Sequence, residues 1–398
     1  MPSSISTAAF SVGPELKSWI VDIRRHIHRN PELSFQEHQT AAFIQQKLKE
    51  IGVTCTGGIA TTGVVATLPG FSKQRGVALR ADMDALPITE ETNLDFSSKN
   101  IGVMHACGHD GHVAMLLGGA ALLQTRELPR PVKLIFQPAE EYGNGALHMV
   151  KAGVLEDIEA VFAGHIDTHL PIGTMTVDEG IVCAWADPFQ IHLHGRSGHA
   201  ARPHEAVDTV VAAANLILSI QTLISRGVDP NRSAVVSIGT VQSGTAQNII
   251  AQDALLKGTV RSTHCQTREQ TLAGLARVVE SIGLMHGVEA TLDFHNRIPA
   301  VENDRETAKN AREAALQVEG VNAVTSQGAS SLGAEDFAFY QQQIPGCMVR
   351  FGASLGAQAG VSHSGTFDFH EDVLALGACW YANVAWQWLH RNHGAAVE

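Results

Sequence analysis

The sequence has no cluster of lysine and arginine residues, and 28 basic residues face 40 acidic ones for a formal net charge of -12. Nucleic-acid-binding proteins neutralise phosphates with grouped basic side chains, so this balance argues against a nucleic-acid partner. The sequence also has no run near the roughly 18 apolar residues that a membrane-spanning helix requires. We therefore expect neither a nucleic-acid partner nor a membrane span.

Close cysteine pairs are missing as well. The six cysteines stand singly, at positions 55, 107, 183, 265, 347 and 379. Small secreted domains held by disulfides have another pattern, so a reducing compartment is favoured. The opening stretch MPSSISTAAFSV lacks the basic patch and apolar run of a signal peptide. The expected location is the cytoplasm.

Histidine is the one unusually frequent residue, with 20 copies among 398 residues. Its abundance directs attention to metal or acid–base chemistry. The chain is long enough for two domains, each with its own core.

The first third of the chain alternates helix-like and strand-like segments. Leu16, Ile20, Ile23 and Ile27 share one face of a predicted helix. The apolar runs GVVATL, GVALRA, PVKLIFQ and AVFAGHI resemble buried strands, and segment 110–124 resembles a helix. This alternation predicts an α/β fold, a three-layer α/β/α domain with a sheet covered on both faces.

The middle of the chain has a different pattern. Strands ADPFQIHLHG, SAVVSIGTV, DALLKGTVRS and VEATLDFH are interleaved with helices at 205–226 and 266–286. The order β-α-β-β-α-β is that of a ferredoxin-like α+β unit. We expect a catalytic domain of residues 1–181 and 297–398, with this small domain inserted at 182–296.

Side chains able to bind metals or protons gather around predicted strand ends. They are Asp82 and Asp84 in ALRADMDALP, Cys107 and His109 in MHACGHDGH, Glu140 and Glu141 in LIFQPAEEYG, His165 in VFAGHID and His363 in GVSHSGTFDF. Each alone has an ordinary structural explanation as a turn former or a solvated polar residue. Together they indicate a site, because an open α/β sheet places its ligands at the carboxyl ends of its strands.

The adjacent pair Glu140 and Glu141 suits metal-assisted hydrolysis. Successive side chains point in different directions, so one carboxylate can bind a metal while the other accepts a proton from water. Imidazole, thiolate and carboxylate together suit zinc or another borderline divalent ion.

These motifs resemble the dinuclear-metal aminoacylase/carboxypeptidase family. Within it they are most similar to the amidohydrolase branch of hippurate hydrolases and hydrolases of indole-acetyl-amino-acid conjugates. The resemblance covers nearly the whole chain. It rests on RRHIHRNPELSFQE, RADMDALPITEET, GVMHACGHDGH, IFQPAEE, GRSGHAARPH, GTVRS, GAEDFAFY and HSGTFDF, in the family's order.

The resemblance implies two divalent metal ions per subunit, of Zn, Mn, Co or Ni. The implied ligands are Cys107, which bridges the ions, His109, Glu141, His165 and His363. Glu140 is implied as the general base that activates water and later protonates the leaving amine. Asp84 is implied to orient the metal ligands without binding an ion itself. Asp82 and Asp110 are implied only as supporting residues.

The inserted domain is implied to form a lid and a dimer interface, so a homo-oligomer, a dimer or tetramer, is expected. His199 in GRSGHAARPH resembles a lid histidine that stabilises the oxyanion. Asn248 and Arg261 resemble residues that hold the substrate's carboxylate, for which the planar fork of arginine is suited.

The predicted function is metal-dependent hydrolysis of N-acyl-amino acids to a carboxylic acid and a free amino acid. A dipeptidase or metallocarboxypeptidase is a close alternative that family membership does not separate. Cys107 could instead be a nucleophile paired with His105 or His109, although a separation of two residues is poor geometry and leaves QPAEE unexplained. A non-catalytic binding protein usually lacks a ligand or the base, and this sequence has all of them.

Overall fold

The computed structural model describes residues 9–356 and 360–391. Within them the chain forms two compact units. The larger unit comprises the described residues of Met1–Gly180, Glu302–Gly328 and Asp336–Glu398, and the smaller is Ile181–Val301 and Ala329–Glu335. The predicted boundaries at 182–296 stay a prediction. The outermost residues of the predicted catalytic domain, and most of MPSSISTAAFSV, lie outside the described residues.

The helices and strands of the described residues include those that the apolar patterns predict, together with several short elements that the patterns did not indicate. The helices are α1 (Pro14–Arg29), α2 (His38–Glu50), α3 (His109–Leu123), α4 (Gly145–Lys151), α5 (Thr209–Gly227), α6 (Cys265–His286), α7 (Arg305–Ala315), α8 (Ala338–Gln341) and α9 (Val373–His390). The strands are β1 (Cys55–Ile59), β2 (Gly63–Leu68), β3 (Gly76–Asp82), β4 (Val132–Gln137), β5 (Ile158–Asp167), β6 (Thr174–Thr176), β7 (Gly180–Cys183), β8 (Trp185–His194), β9 (Gly198–His199), β10 (Ala234–Ser243), β11 (Ile249–Ile250), β12 (Asp253–Ser262), β13 (Glu289–Phe294), β14 (Val301–Asn303), β15 (Ala323–Thr325) and β16 (Gly346–Gly352).

The larger unit is built on one sheet with the strand order β1-β2-β4-β3-β5-β16-β6-β15. Its central strands β4, β3, β5 and β16 are parallel to their neighbours in that group, while β2 joins β4 in antiparallel fashion. The carboxyl ends of the parallel strands therefore meet at one edge, where an α/β sheet places its site.

Both faces of this sheet are covered, since every residue of β3 is buried. Leu79 belongs to the main apolar core, which also contains side chains of α1, α3 and α9. Arg80 points to the opposite face, where it is buried beside Phe337 and Asp336 just before α8. The predicted α/β architecture with helices around a large buried sheet is confirmed.

Helices pack closely on one face of the sheet, and glycine in α3 permits the approach. Ile20, Ile23 and Ile27 of α1 are buried, as their spacing predicts. A Cβ atom added to Gly118 would lie 2.5 Å from the Ile20 side chain, nearer than real contacts allow. Gly118 therefore lets α1 lie directly against α3, the helix that begins at the candidate site.

The smaller unit contains an antiparallel sheet with the order β10-β12-β8-β13. Along the chain its elements follow the order β8, α5, β10, β12, α6, β13. Phe189, Ile191 and Leu193 point to one face and share a core with residues of α5 and α6. The sheet order and connections are those of the predicted ferredoxin-like unit.

A membrane-spanning helix needs at least 18 residues and a mainly apolar composition. By length and composition alone, α5 meets that criterion. Core helices of soluble proteins pass the same test, and Ala212, Leu216 and Ile220 of α5 are buried in the core of the smaller unit. Val211 and Leu218 lie on its exposed face.

Candidate metal centre

His109 and His165 are both anchored through Nδ1. His109 begins α3, and its Nδ1 lies 2.9 Å from the carbonyl oxygen of Asp84. His165 lies in β5, and its Nδ1 is 2.6 Å from the carbonyl oxygen of Ile166. Because a carbonyl oxygen only accepts, each Nδ1 carries the proton and donates it. The Nε2 lone pair of each ring is therefore left for a metal ion.

Cys107 belongs to two groups of candidate ligand atoms. One group joins Cys107 with His109 and His165, and the other joins it with Glu141 and His363. In each group the atoms lie within 4.8 Å of one another. Cys107 Sγ is 3.5 Å from His165 Nε2, and His363 Nε2 is 3.4 Å from Glu141 Oε1. The structure thus brings together the five residues predicted as metal ligands.

Two buried atoms at this place have no hydrogen-bond partner within the described residues. They are His109 Nε2 and Glu141 Oε1, and they lie 3.8 Å apart. A buried polar atom left without a partner costs about 1–3 kcal/mol, and a cation near both atoms would remove that cost. Imidazole, carboxylate and thiolate are also the ligand types of zinc and similar ions. The residues present therefore fit a pair of divalent metal ions.

The surroundings of Cys107 do not favour a nucleophilic thiolate. Burial raises the pKa of the Cys107 thiol to about 12, and the Glu141 carboxylate acts in the same direction. A nucleophilic cysteine needs neighbours that lower its pKa. A metal ion, by contrast, deprotonates the thiol that binds it. The local electrostatics are therefore suited to a ligand and unsuited to an unaided nucleophile.

Glycine between Cys107 and His109 makes the turn into α3. Gly108 has φ of 100°, in the left-handed region that other residues rarely adopt. A Cβ there would also press against Ile166 at 3.4 Å. The tight turn sets the thiol and the imidazole on the same side of the site, as the Cys-Gly-His pattern predicts.

Asp84 anchors the turn that carries the two glutamates. Its Oδ1 accepts a hydrogen bond from the backbone N–H of Glu140 at 3.1 Å, and its Oδ2 accepts one from Glu141 at 3.1 Å. The Ser34 hydroxyl donates to the same Oδ2 at 2.7 Å. Since Asp84 also receives His109 Nδ1 on its carbonyl oxygen, one buried residue fixes three parts of the site.

The backbone before the glutamates adopts a costly conformation. Ala139 has φ of 54°, unusual for a residue with a side chain. Its N–H donates to the buried Glu37 carboxylate at 2.9 Å, and its carbonyl oxygen accepts from Gly145 at 3.2 Å. Strain of this kind persists only where the surroundings enforce it, and it clusters at functional sites.

Sequence reasoning missed His112, which lies one helical turn after His109. His112 Nδ1 is 2.6 Å from Asp82 Oδ1, and the backbone N–H of Ile166 donates to His112 Nε2 at 2.9 Å. Asp82, His109 and His112 form a further group of possible ligand atoms. Both ring nitrogens of His112 are nevertheless occupied by protein partners. The i, i+3 spacing in GHDGH was the only available hint.

A buried cluster of charged side chains surrounds Asp110, the residue that follows His109. Arg24 Nε is 3.0 Å from Asp110 Oδ2, and His28 Nδ1 is 2.9 Å from the same oxygen. His28 Nε2 is 3.3 Å from Glu90 Oε1. His105 is buried nearby with both ring nitrogens unbonded among the described residues, and burial lowers its pKa to about 4. Asp110 is thus a structural partner of Arg24 and His28.

The remaining three predicted residues lie in the smaller unit. His199 is exposed in β9, which pairs with β11, and the carbonyl oxygen of Asn248 accepts the N–H of Ala200 at 3.1 Å. His199 and Asn248 are therefore neighbours. Arg261 lies apart from them, in β12 between β8 and β10. The roles of all three stay predictions.

Comparisons with known proteins identify the family to which the chain belongs. Residues 78–387 match the sequence model of Peptidase family M20/M25/M40. The N-acetylcysteine deacetylase of Bacillus subtilis (strain 168) is 39% identical over 369 residues, covering 92% of this chain and 96% of that protein. IAA-amino acid hydrolase ILR1-like 5 of Arabidopsis thaliana is 38% identical over 379 residues, covering 93% and 87%.

A solved structure is similar as well. The crystal structure of a protein from Bacillus subtilis, described as a dinuclear metal binding peptidase from the M20 family, matches with a TM-score of 0.82 and 36% identity. The match covers 95% of this chain and 99% of that one. Fold, ligand groups and relatives agree with the resemblance that the motifs predicted, and the chain belongs to Peptidase family M20/M25/M40.

Proposed function

We propose that this metal-dependent amidohydrolase cleaves the amide bond of N-acyl-amino acids, giving a carboxylic acid and a free amino acid. The observation that carries the proposal is the pair of three-residue ligand groups that share Cys107, with Glu140 beside them. Glu140 Oε2 lies 4.0 Å from His109 Nε2. The names of the deacetylase and hydrolase relatives support an acylated amino acid as the substrate class.

Glu140 is the proposed general base. It accepts a proton from the attacking water and passes it to the leaving nitrogen, which departs as the free amine. Asp84 holds the Glu140 backbone, which fixes the point from which the carboxylate extends before substrate arrives. The divalent ions, when bound by Cys107, His109, Glu141, His165 and His363, supply charge that polarises a carbonyl and lowers the pKa of water.

The smaller unit supplies the other proposed groups. His199 donates a hydrogen bond to the developing oxyanion, and Asn248 and Arg261 hold the carboxylate of the amino-acid part. The proposal includes Zn, Mn, Co or Ni as the metal, a homo-oligomeric assembly and a cytoplasmic location. It includes neither a nucleic-acid partner nor a membrane. The negative net charge supports the exclusion of nucleic acid.

A dipeptidase or metallocarboxypeptidase acting at the same site is the second candidate, because the family description is that of peptidases. In that case the acyl part is itself an amino acid and carries an ammonium group. A cysteine hydrolase is disfavoured, because the surroundings raise the pKa of Cys107 rather than lowering it.

A substrate panel on metal-stripped and reconstituted protein tests the proposal. Acetyl-, benzoyl- and indole-acetyl-amino acids are compared with dipeptides after chelation and after addition of Zn, Mn, Co or Ni. We expect activity to disappear on chelation, to return with at least one ion, and to show a higher kcat/KM on acyl-amino acids. Activity that survives prolonged chelation would refute the metal requirement, and preference for dipeptides would favour the second candidate.

A pair of cysteine variants tests whether metal-dependent activity requires Cys107. Cys107→Ser removes the shared ligand, whereas Cys265→Ser changes an exposed cysteine at the start of α6. We expect only the first to abolish metal-dependent activity. Equal activity in both variants would contradict the assignment of Cys107.

A further inference from the structure

Side chains hold the end of β5 where its pairing with β3 has stopped. The two strands run together for only part of the length of β5. Beyond that point the Gly164 N–H donates to the Tyr381 hydroxyl at 3.2 Å, and the Ile166 N–H donates to His112 Nε2 at 2.9 Å. Buried N–H groups require acceptors. Tyr381 and His112 thus accept two β5 N–H groups that lie beyond the end of the pairing with β3.

Both sides of the His112 ring are fixed. Its Nε2 accepts from Ile166 and therefore carries no proton, so the proton is on Nδ1 and is donated to Asp82 Oδ1 at 2.6 Å. Arg80 Nη1 lies 2.7 Å from the other oxygen of Asp82. His112, Asp82 and Arg80 are each at most 1% exposed. His112 is thus a neutral, oriented acceptor, and it is not available as a ligand.

The backbone that His112 holds is the one that orients His165. The Ile166 carbonyl oxygen accepts the His165 Nδ1 hydrogen at 2.6 Å, which directs Nε2 towards Cys107 Sγ, 3.5 Å away. The rings of His112 and His165 also lie close, with centroids 4.7 Å apart and planes at 66°. A shift of the Ile166 backbone therefore changes the direction of the His165 lone pair.

We propose that His112, held by Asp82, is a positioning residue that fixes the Ile166 backbone and thereby aims His165 Nε2 at the metal ion shared with Cys107. The inference rests on the proposed function, since it needs a metal ion at His165. It also predicts an asymmetry. His165 belongs to only one of the two ligand groups around Cys107. Loss of the His112 contact therefore lowers the affinity for one metal ion and leaves the affinity for the other unchanged.

Two substitutions separate the two bonds of the ring. In His112→Gln the side-chain oxygen reaches the place of Nε2 and accepts from Ile166, while the donor to Asp82 is lost. In His112→Asn the amide nitrogen takes the place of Nδ1 and donates to Asp82, while the acceptor for Ile166 is lost. Tyr381→Phe is the matched control, because it removes the equivalent acceptor at Gly164 and leaves Ile166 untouched.

Each variant is stripped of metal and titrated with Co²⁺ against a competing chelator, and the visible absorption reports thiolate and imidazole binding. We expect His112→Asn to lower the affinity for one of the two Co²⁺ ions by about 10- to 100-fold, the usual effect of losing a group that orients a ligand. His112→Gln and Tyr381→Phe should bind both ions as the unaltered protein does. Tm values for all variants show whether a change is confined to the site.

The result that overturns the inference is a His112→Asn protein that binds both ions with unaltered affinity, or one in which both ions weaken equally. Equal weakening in Tyr381→Phe has the same meaning, because it marks a general structural effect. If His112→Asn does not fold, His112→Leu replaces it, because leucine also lacks an acceptor for the Ile166 N–H and should weaken binding of the same ion. If the unaltered protein binds no Co²⁺, the proposed function itself fails.

Discussion

The carboxylate of Asp84 accepts the backbone N–H of Glu140 at 3.1 Å, so the main chain of the proposed base is held in place. The neighbouring Glu141, a proposed ligand, is held by the other oxygen of the same carboxylate. Burial alone would raise the pKa of Asp84, but hydrogen bonds from the His109 and Ser34 side chains lower it. Asp84 therefore stays ionised and couples the position of the base to that of the metal ligands.

Asp84→Asn should damage the site and the fold together. The amide presents an NH₂ group where one carboxylate oxygen now accepts a backbone N–H, so two donors face each other. We expect metal affinity and kcat/KM to fall about 10- to 100-fold. The free energy of unfolding should fall by about 1–3 kcal/mol. Metal titration, kinetics and urea unfolding measure the three quantities.

Asp187→Asn is the control for a buried aspartate lost elsewhere. Asp187 is fully buried in the smaller unit, 2.7 Å from Arg268 and 2.5 Å from Arg297. Its loss should destabilise the protein and leave metal affinity unchanged. A similar drop in metal affinity in both variants would show that the Asp84 effect is not local.

Glu140→Gln should keep the metal and lose turnover. Glutamine has nearly the same shape as glutamate and still lets Asp84 hold the backbone, but it cannot accept a proton at neutral pH. We expect kcat to fall about 10²- to 10⁴-fold, with metal content unchanged by elemental analysis. Glu280→Gln, an exposed residue of α6, should have no effect. Substantial turnover by the metal-loaded Glu140→Gln protein would refute its role as the base.

Cys107→Ala and His363→Ala should differ in the number of ions they affect. Cys107 belongs to both ligand groups, whereas His363 belongs to one. The first variant should therefore bind both ions more weakly. The second should bind one ion more weakly and the other with nearly its original affinity. Direct loss of a ligand should exceed the roughly 10- to 100-fold effect of losing an orienting group. Stoichiometric metal titration distinguishes these outcomes, and loss of a single ion in Cys107→Ala would contradict sharing.

Periodicity explains how much of this fold is predictable from sequence. Ile20, Ile23 and Ile27 predict the buried face of α1 because helical spacing depends on local geometry alone. Phe189, Ile191 and Leu193 predict a half-buried strand for the same reason. Strand-end positions also predict which side chains gather at the metal centre, because the carboxyl ends of parallel strands share one edge.

Contacts between distant segments were not predictable in this way. His112 lies on α3, yet its function depends on Asp82 at the end of β3 and Ile166 near the end of β5. The left-handed conformation of Ala139 likewise follows from contacts with Glu37 and Gly145, and the local sequence PAEE gives no sign of it. Each of these features requires the tertiary arrangement before its chemistry can be recognised.

His28 should make stability depend on alkaline pH. Burial alone would lower its pKa, but hydrogen bonds from the ring to Asp110 and Glu90 raise it to about 9. An unfolded histidine has a pKa of about 6.5. Because the folded value is the higher one, the stabilisation is fully present below about pH 6.5 and is lost as the pH rises through 9.

The measurement is the free energy of unfolding in urea between pH 6.5 and pH 9.5, for the unaltered protein and for His28→Gln. The difference between the two proteins should shrink by about 3 kcal/mol across this range, since one pKa unit corresponds to about 1.4 kcal/mol. Other titrating groups are common to both proteins and largely cancel. A difference that stays constant with pH would show that His28 is not held as an imidazolium between Asp110 and Glu90.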